Sequence, residues 1–563
     1  MFSVMKLFTM ILFIFSASSE ISYVVNYTNG TTFQEGQVLT LSSSSDYYDV
    51  NITIPLSKPT YMNKEISSDF IFLATTMIIK VTLVDIDPEL SFLIAQVHAK
   101  IDKVEIYKSF KKTRVIGQNV GLYFDAKNEK HVFYILNRNC EGGLFYVSVH
   151  GYGPKDPIPG GCNLESKIPI PPSTDIRLSN NYYNVEIAPP MAPYDPNCLE
   201  NDVFITFYML YQSELDYTTE VYFDGIRRMI NYENITKNGI VVPFIFWNTR
   251  RMMSRYHGTN AVFAAVASTA DGYSIYVPAQ TYGCVNTSDQ FCVYLGDIRT
   301  IIFVLFLMAI SFLICFGGHR YVHIEMFSQG LMTSTFVCFV IMTATTSESY
   351  DIKLLISFIF GLVFASVWSM AWLVWRSPIT IMLIPAFNCG FLVAGIMYYV
   401  VPSSMIYLGV DFNFWSLFFL VLLLVAMVIL STSKFGNILS CAFFGSYGFV
   451  VAGDMLLGSN FKYIVVNVLR RATVPNFNKA VLFPPFQTGE KVMIAVWVLI
   501  ALAGMAVQYW FTRGQTSFPM CAPQLTMREA VNVAMYGTVE RRIAPRTGGA
   551  RNQSADEHTP LLA

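Results

Sequence analysis

The residues best placed to do chemistry are ionisable side chains set in or beside long apolar runs. Asp454 lies near the end of the run 436–457, and Glu325, preceded by His319 and Arg320, opens the run 324–346. A carboxylate in hydrocarbon is costly unless neutral or paired, so each acid is by default a candidate for ion or proton passage. A structural reading stands beside it. Asp454 can reach water or a lumenal Arg near the interface, while His319, Arg320 and Glu325 stand where headgroups would solvate them. Structural pairing is the preferred reading. A zinc hydrolase bundle would need several His and Asp ligands on facing helices, and only His319 and His323 lie near the membrane. Neither an enzyme nor a cofactor is expected.

The elements that position these residues follow from composition. The 563-residue chain is 53% hydrophobic and 14% charged, more apolar surface than one soluble core needs. Its net charge of −1 gives no basis for capturing nucleic acid. Seven runs are long enough to span a bilayer: 300–316, 324–346, 354–375, 379–401, 414–431, 436–457 and 492–512. The spans are rich in small residues, as at 390–395 and 445–448, which permit close helix contact. Arg320, Arg376, Lys434, Arg513, Arg528, Arg541 and Arg542 fall on one side and Glu348, Asp351 and Asp411 on the other. The positive-inside rule then places the C-terminus in the cytosol. The loop 459–491 departs from that rule with Lys462, Arg470, Arg471, Lys479 and Lys491. Its segment 460–472 reads as an amphipathic helix on the membrane surface or against the outer domains, or as a packed connecting helix, the preferred reading.

The N-terminus reads as a secretory signal, residues 1–19: Lys6, an apolar stretch from Leu7 to Phe15, then Ala17-Ser18-Ser19. The following half would then be extracellular or lumenal. Acceptor sequons at Asn26, Asn29, Asn51, Asn234 and Asn286 would meet the glycosylation machinery. Five cysteines there, Cys140, Cys162, Cys198, Cys284 and Cys292, read as disulfide candidates. Cys140 with Cys162, and Cys198 with Cys284 or Cys292, are the expected pairs. Alternation over 81–86, 131–136, 144–150, 203–211 and 261–277 predicts half-buried strands, and Asp271-Gly272 predicts a hairpin turn with positive φ. The region is expected to be β-sandwich-like, one antiparallel domain or two. With two, the domains are 20–168 and 169–298, followed by the bundle at 299–512 and a disordered tail at 513–563.

Four stretches carry a family resemblance: Asp156-Pro157-Ile158-Pro159-Gly160-Gly161-Cys162-Asn163-Leu164-Glu165, Cys315-Phe316-Gly317-Gly318-His319-Arg320, Asn467-Val468-Leu469-Arg470-Arg471-Ala472, and Phe486-Gln487-Thr488. On these the chain resembles the transmembrane 7 superfamily member 3 family, with a bundle similar to that of transmembrane protein 198. The resemblance implies a membrane protein without known catalysis, linked to cell survival, secretory-pathway stress and Wnt-type signalling. No catalytic residue comes with it.

The tail carries two sorting patterns, Glu557 to Leu561-Leu562 and Tyr536 to Val539, which bind clathrin adaptors as extended peptides. Passage through the plasma membrane and residence in endosomal or lysosomal membranes are expected. Short loops at 317–323, 376–378 and 431–435 offer little surface for a G protein. The expected function is a receptor-like or scaffolding membrane glycoprotein whose outer β domains bind a protein partner. The alternative is an ion, proton or small-solute transporter using Asp454.

Overall fold

The computed structural model describes residues 50–55, 65–73, 78–100, 103–109, 114–137, 139, 142–162, 172–195, 198, 202–243, 248–281, 298–375, 377–400 and 406–514. Asn26, Asn29, Cys140, Asn286, Cys284, Cys292, Tyr536, Val539, Glu557, Leu561 and Leu562 lie outside them.

Alternating apolar residues build the first β region from two sheets. One has the order β1-β3-β8-β5-β6: β1 (Val50–Pro55), β3 (Ile78–Val84), β8 (His131–Asn137), β5 (Val104–Tyr107) and β6 (Val115–Gly117). The other has β2 (Glu65–Leu73), β9 (Gly143–Tyr152), β4 (Phe92–Ala99) and β7 (Asn119–Asp125), in that order. Leu93, Ala95 and Val97 of β4, with Phe145, Val147 and Val149 of β9, pack with Val81, Leu83, Phe133 and Ile135 of the other sheet in one core. One pair departs from the antiparallel expectation: β1 and β3 run parallel, because β2 between them belongs to the other sheet and the chain crosses twice.

The second β region pairs a sheet of β10 (Thr174–Leu178), β11 (Tyr182–Ile187) and β14 (Arg250–Ser254) with one of β13 (Ile240–Val242), β12 (Phe204–Tyr211), β15 (Ala261–Ser268) and β16 (Tyr273–Ile275). The short β17 (Ala279–Thr281) also pairs with β15. Between β12 and β13 stand two helices that strand patterning did not predict, α1 (Thr219–Arg228) and α2 (Tyr232–Asn238). Thr218 caps α1 by accepting from Val221 N–H at 3.4 Å, Glu220 lies in its first turn, and Arg227 and Arg228 lie in its last. Tyr222, Phe223 and Ile226 pack with Tyr146, on the face of β9 turned away from the first core. On that face of β4, Phe92 and Ile94 meet Val277. The strand expected to be half-buried over 144–150 is therefore buried on both faces from Phe145 onward.

Two further expectations are corrected. The Asp271-Gly272 hairpin joins β15 to β16, but its glycine answers a close approach rather than a positive φ. A Cβ at Gly272 would lie 2.5 Å from Asp156 Oδ1 and 2.6 Å from the Lys155 carbonyl. Among the described residues a disulfide joins Cys162 to Cys198, with Cα atoms 5.7 Å apart, which overturns both expected pairs, Cys140 with Cys162 and Cys198 with Cys284 or Cys292. The cause is a crossing of chain segments. Ile158 and Met191 exchange backbone hydrogen bonds at 2.9 Å, and Cys162 N–H donates to the Pro189 carbonyl at 3.1 Å. That pairing brings the two cysteines together.

Among the described residues seven helices are long and apolar enough to cross a membrane: α3 (Ile298–Gly317), α4 (Val322–Thr345), α5 (Tyr350–Trp375), α6 (Pro378–Val400), α7 (Asp411–Ser431), α8 (Ser433–Leu457) and α10 (Thr488–Thr512). Leu305, Ile359, Val363, Val367, Leu424, Met427, Val428 and Leu499 are at least half-exposed, or nearly so, a surface that lipid covers. Small residues set the helix spacing: a Cβ on Gly445 of α8 would stand 2.5 Å from Cys315 N of α3. The segment expected as a connecting helix is α9 (Tyr463–Thr473), and it is packed, with Tyr463, Ile464, Asn467, Val468, Arg470 and Arg471 buried.

Candidate functional site: two buried polar clusters at opposite ends of the bundle

At the β-domain end, α8 stops at Gly458, whose φ of 80° caps the helix and turns the chain toward α9. The turn places Lys462 over the last turn of α8. Its backbone N–H donates to Asp454 Oδ2 at 3.0 Å, and its Nζ lies 3.4 Å from the same oxygen. Both side chains are buried, 0% exposed for Asp454 and 2% for Lys462, so each supplies the countercharge the other needs away from water.

From there α9 reaches the second β region. Arg470 donates to the Arg255 carbonyl at 2.8 Å and to Ser254 Oγ at 3.1 Å, and Ser254 Oγ donates to Asn467 Oδ1 at 3.1 Å. Arg471 pairs with Asp411 at 2.8 Å. Beyond α9, Val481 exchanges backbone hydrogen bonds with Met252 and Ser254, extending the β14 edge into the loop. Gln487 accepts from Glu214 N–H at 2.7 Å and donates to the Gln212 carbonyl at 2.5 Å, fixing the end of β12 to the start of α10. Gly258 and Gly458, both at positive φ, meet here; a Cβ on Gly258 would stand 3.2 Å from the Gly458 carbonyl.

Outside the spans, burial among cations pushes His257 down to about 4, with Arg255, Lys462 and Arg470 adding to the effect. Burial pushes the Glu214 carboxyl up, opposed by its bond from Asn460.

The other end holds a different arrangement. Glu325, in the first turn of α4, is 1% exposed. Cys441 Sγ donates to Glu325 Oε1 at 2.8 Å and Asn437 Nδ2 to Oε2 at 3.1 Å, both from α8. The same Asn437 Nδ2 lies 3.1 Å from His319 Nδ1, while Asn437 Oδ1 is buried without a partner. His319 N–H donates to Gln508 Oε1 of α10 at 3.0 Å. In the other direction Gln329 Nε2 reaches Cys441 Sγ at 3.6 Å, Asn388 of α6 donates to Gln329 Oε1 at 3.1 Å, and Thr333 donates to Asn388 Oδ1 at 2.8 Å. A cavity of about 190 Å³, lined by Phe312, Gly317, Gly318, Tyr321, Ile324 and Glu325 among others, opens between α3 and α4.

The expectation of headgroup solvation at this end is corrected for two of its three residues. Arg320 is exposed, lying over Tyr321 and Phe511, but His319 and Glu325 are buried because α8 and α10 close over them. Sequence reading missed the amides Asn437, Gln508 and Gln329 and the thiol of Cys441; polar residues in otherwise apolar runs were their signal. Asn234 is half-buried on α2, and Asn51 belongs to β1. Among the described residues no group of three or more His, Cys, Asp or Glu is placed to hold a metal ion.

Antiparallel β domains set on seven membrane-length helices define the class: a multi-pass membrane protein with an immunoglobulin-like N-terminal half. Three family models agree. A TM7SF3-like, N-terminal immunoglobulin-like domain matches residues 61–147, a TM7SF3-like, second immunoglobulin-like domain matches 157–287, and a TM7S3/TM198-like domain matches 304–509. Transmembrane 7 superfamily member 3 of Homo sapiens is 27% identical over 467 residues, covering 77% of this chain and 80% of that protein. The proteins of the same name from Rattus norvegicus and Mus musculus are 26% and 27% identical, each covering 85% of this chain and 91% of theirs. The chain belongs to the transmembrane 7 superfamily member 3 family.

Proposed function

We propose that the chain is a receptor-like or scaffolding membrane glycoprotein without catalysis, in which the β domains bind a protein partner and α9 passes that event to the bundle. One observation carries this reading: α9 and its flanks hydrogen-bond the second β region through Arg470, Val481 and Gln487 while holding α8 through Lys462. A rigid connection of this kind makes a load on the β domains a load on α8 and α10. Transport through Asp454 is disfavoured on the same ground, since Lys462 occupies that carboxylate.

The rest of the reading builds on sequence. A cleaved signal at 1–19, β domains divided near 168, a bundle at 299–512 and a cytosolic tail from 513 set the N-terminal half outside the cytosol. Sugars sit at the lumenal sequons, Asn234 on α2 among them. Clathrin adaptors bind the tail and bring the protein to endosomal and lysosomal membranes. Cell survival and secretory-pathway stress are the processes the family resemblance favours.

The test is proximity labelling from the tail and from the β domains in living cells, with wild-type protein and Arg470→Ala delivered equally to the surface. The expected result is an unchanged neighbourhood at the β domains and an altered one at the tail. A tail neighbourhood indifferent to Arg470 contradicts the coupling.

A further inference from the structure

We propose that Glu325 is a reversible proton-binding site, served from the crevice between α3 and α4 and accommodated in both charge states by the Asn437 amide. It goes beyond the receptor-like reading and does not depend on it.

Three observations carry it. First, Glu325 is a carboxyl in the first turn of a membrane-spanning helix, buried, and bonded only to the neutral donors Cys441 and Asn437. The described elements packed around it bring the following titratable and polar groups. The turn 318–320 gives the His319 ring, α8 gives Cys441, and α3 gives the buried Cys315. From α6 comes the Asn388 amide through Gln329, and from α10 the Gln508 amide through His319. His323 on α4 itself turns onto Trp372 of α5. Arg320 is exposed and lies over aromatic rings, and Lys434 Nζ donates to the Thr512 carbonyl at 2.6 Å. Among the described residues no cation lies within ion-pair distance of this carboxyl, and its partners are neutral donors.

Second, the hydrogen-bond inventory serves both states. With Glu325 ionised, Asn437 Nδ2 donates to Oε2, as observed, and Asn437 Oδ1 is left buried without a donor. A half-turn of the amide brings that oxygen to face Oε2 and His319. A protonated Glu325 then donates its O–H to Asn437 Oδ1, while Nδ2 moves to the side where the amide oxygen stood without a partner. The exchange needs no movement of backbone.

Third, Glu325 lines a cavity of about 190 Å³ between α3 and α4 and supplies its carboxyl group. Tyr321 and Ile324 at its rim are half-exposed, and Gly318 is the thin wall in front of Cys441, where a Cβ would stand 2.8 Å from Cys441 Cβ. A hydronium ion in this crevice gives its proton to a carboxylate oxygen, forming one O–H bond and leaving as water. The reverse step returns it.

The test uses full-length protein in lipid nanodiscs and infrared difference spectra between alkaline and acidic buffer, read at the carbonyl stretch of a protonated carboxylic acid. The expected result is a titrating band absent from Glu325→Gln and retained in Asp454→Asn. Cys441→Ala, which removes a donor to the Glu325 carboxylate and the partner of Gln329 Nε2, shifts the band's midpoint. Wild-type protein carrying isotope-labelled glutamate identifies the band should Glu325→Gln not fold. A band unchanged in Glu325→Gln, or no glutamate band that titrates with pH, overturns the proposal.

Discussion

Asp454 and Glu325 are both carboxylates inside membrane-spanning helices, and both are essentially inaccessible to solvent, yet their surroundings differ. Asp454 faces Lys462, eight residues on, across the Gly458 turn. Glu325 faces a thiol and an amide from a helix more than a hundred residues away and, among the described residues, no cation. Burial alone therefore does not mark an intramembrane acid as functional; the partner does. The paired acid closes a structural clasp, and the acid with neutral partners keeps an open choice of charge.

The largest effect should come from breaking the clasp. Lys462→Met leaves Asp454 buried without its countercharge and should destabilise the folded protein by about 3–5 kcal/mol, read by denaturant unfolding in detergent. A loss under about 1 kcal/mol would mean that Asp454 has water or another partner, and the contrast with Glu325 would fail.

His98 extends the contrast beyond the membrane. It is fully buried in the seam between the β regions, its Nδ1 2.8 Å from Asn119 Oδ1, and Tyr222 of α1 donates to that same oxygen at 2.9 Å. Burial is the main cause that pushes His98 down to about 4; nearby His150 adds to it and the Asn119 bond opposes it. The folded value lies below the ordinary 6.5, so below that pH the unfolded chain takes up the proton more readily. The neutral ring's contribution is complete above about 6.5 and declines as pH falls toward 4, by on the order of 3 kcal/mol. Unfolding followed across this window should show the decline, and His98→Gln should flatten it. An identical slope in the variant would place the acid sensitivity elsewhere, with His257 the first residue to examine.

Glu325→Gln should have the smallest effect on stability, about 1 kcal/mol, because the amide keeps an acceptor for the Cys441 thiol and no charge is stranded. Thermal unfolding beside Lys462→Met gives the comparison directly. A loss as large as that of the lysine variant would mean that Glu325 has an ionic role after all.

The parts of this architecture that were legible in the sequence are those imposed by solvent. Hydrocarbon demands long uncharged runs, so the seven spans stand out, and a sandwich core demands alternation, so β3, β8, β9, β12 and β15 do too. Helix α1 is legible in the spacing of Tyr222, Phe223 and Ile226, of which the last stands three and four residues after the others. The Cys162–Cys198 pair depends on how 158–162 crosses 189–191, which spacing does not encode. The Glu325 cluster was hidden for a similar reason. It draws on α4, α6, α8 and α10, helices apolar nearly all round, whose sequences do not mark which faces meet. Much of each motif that carried the family resemblance sits at a junction: Asp156 accepts from Tyr273 N–H at 3.0 Å, His319 joins the far cluster, and Arg470 and Gln487 join the clasp.

Asp454 and Lys462 stabilise the protein as a pair. A double-mutant cycle with Asp454→Asn and Lys462→Met, read by unfolding free energy in one detergent, isolates that term. A coupling of about 2 kcal/mol or more, with the double variant recovering most of the loss of Lys462→Met, is the predicted result. Single losses that simply add, with coupling near zero, would contradict it.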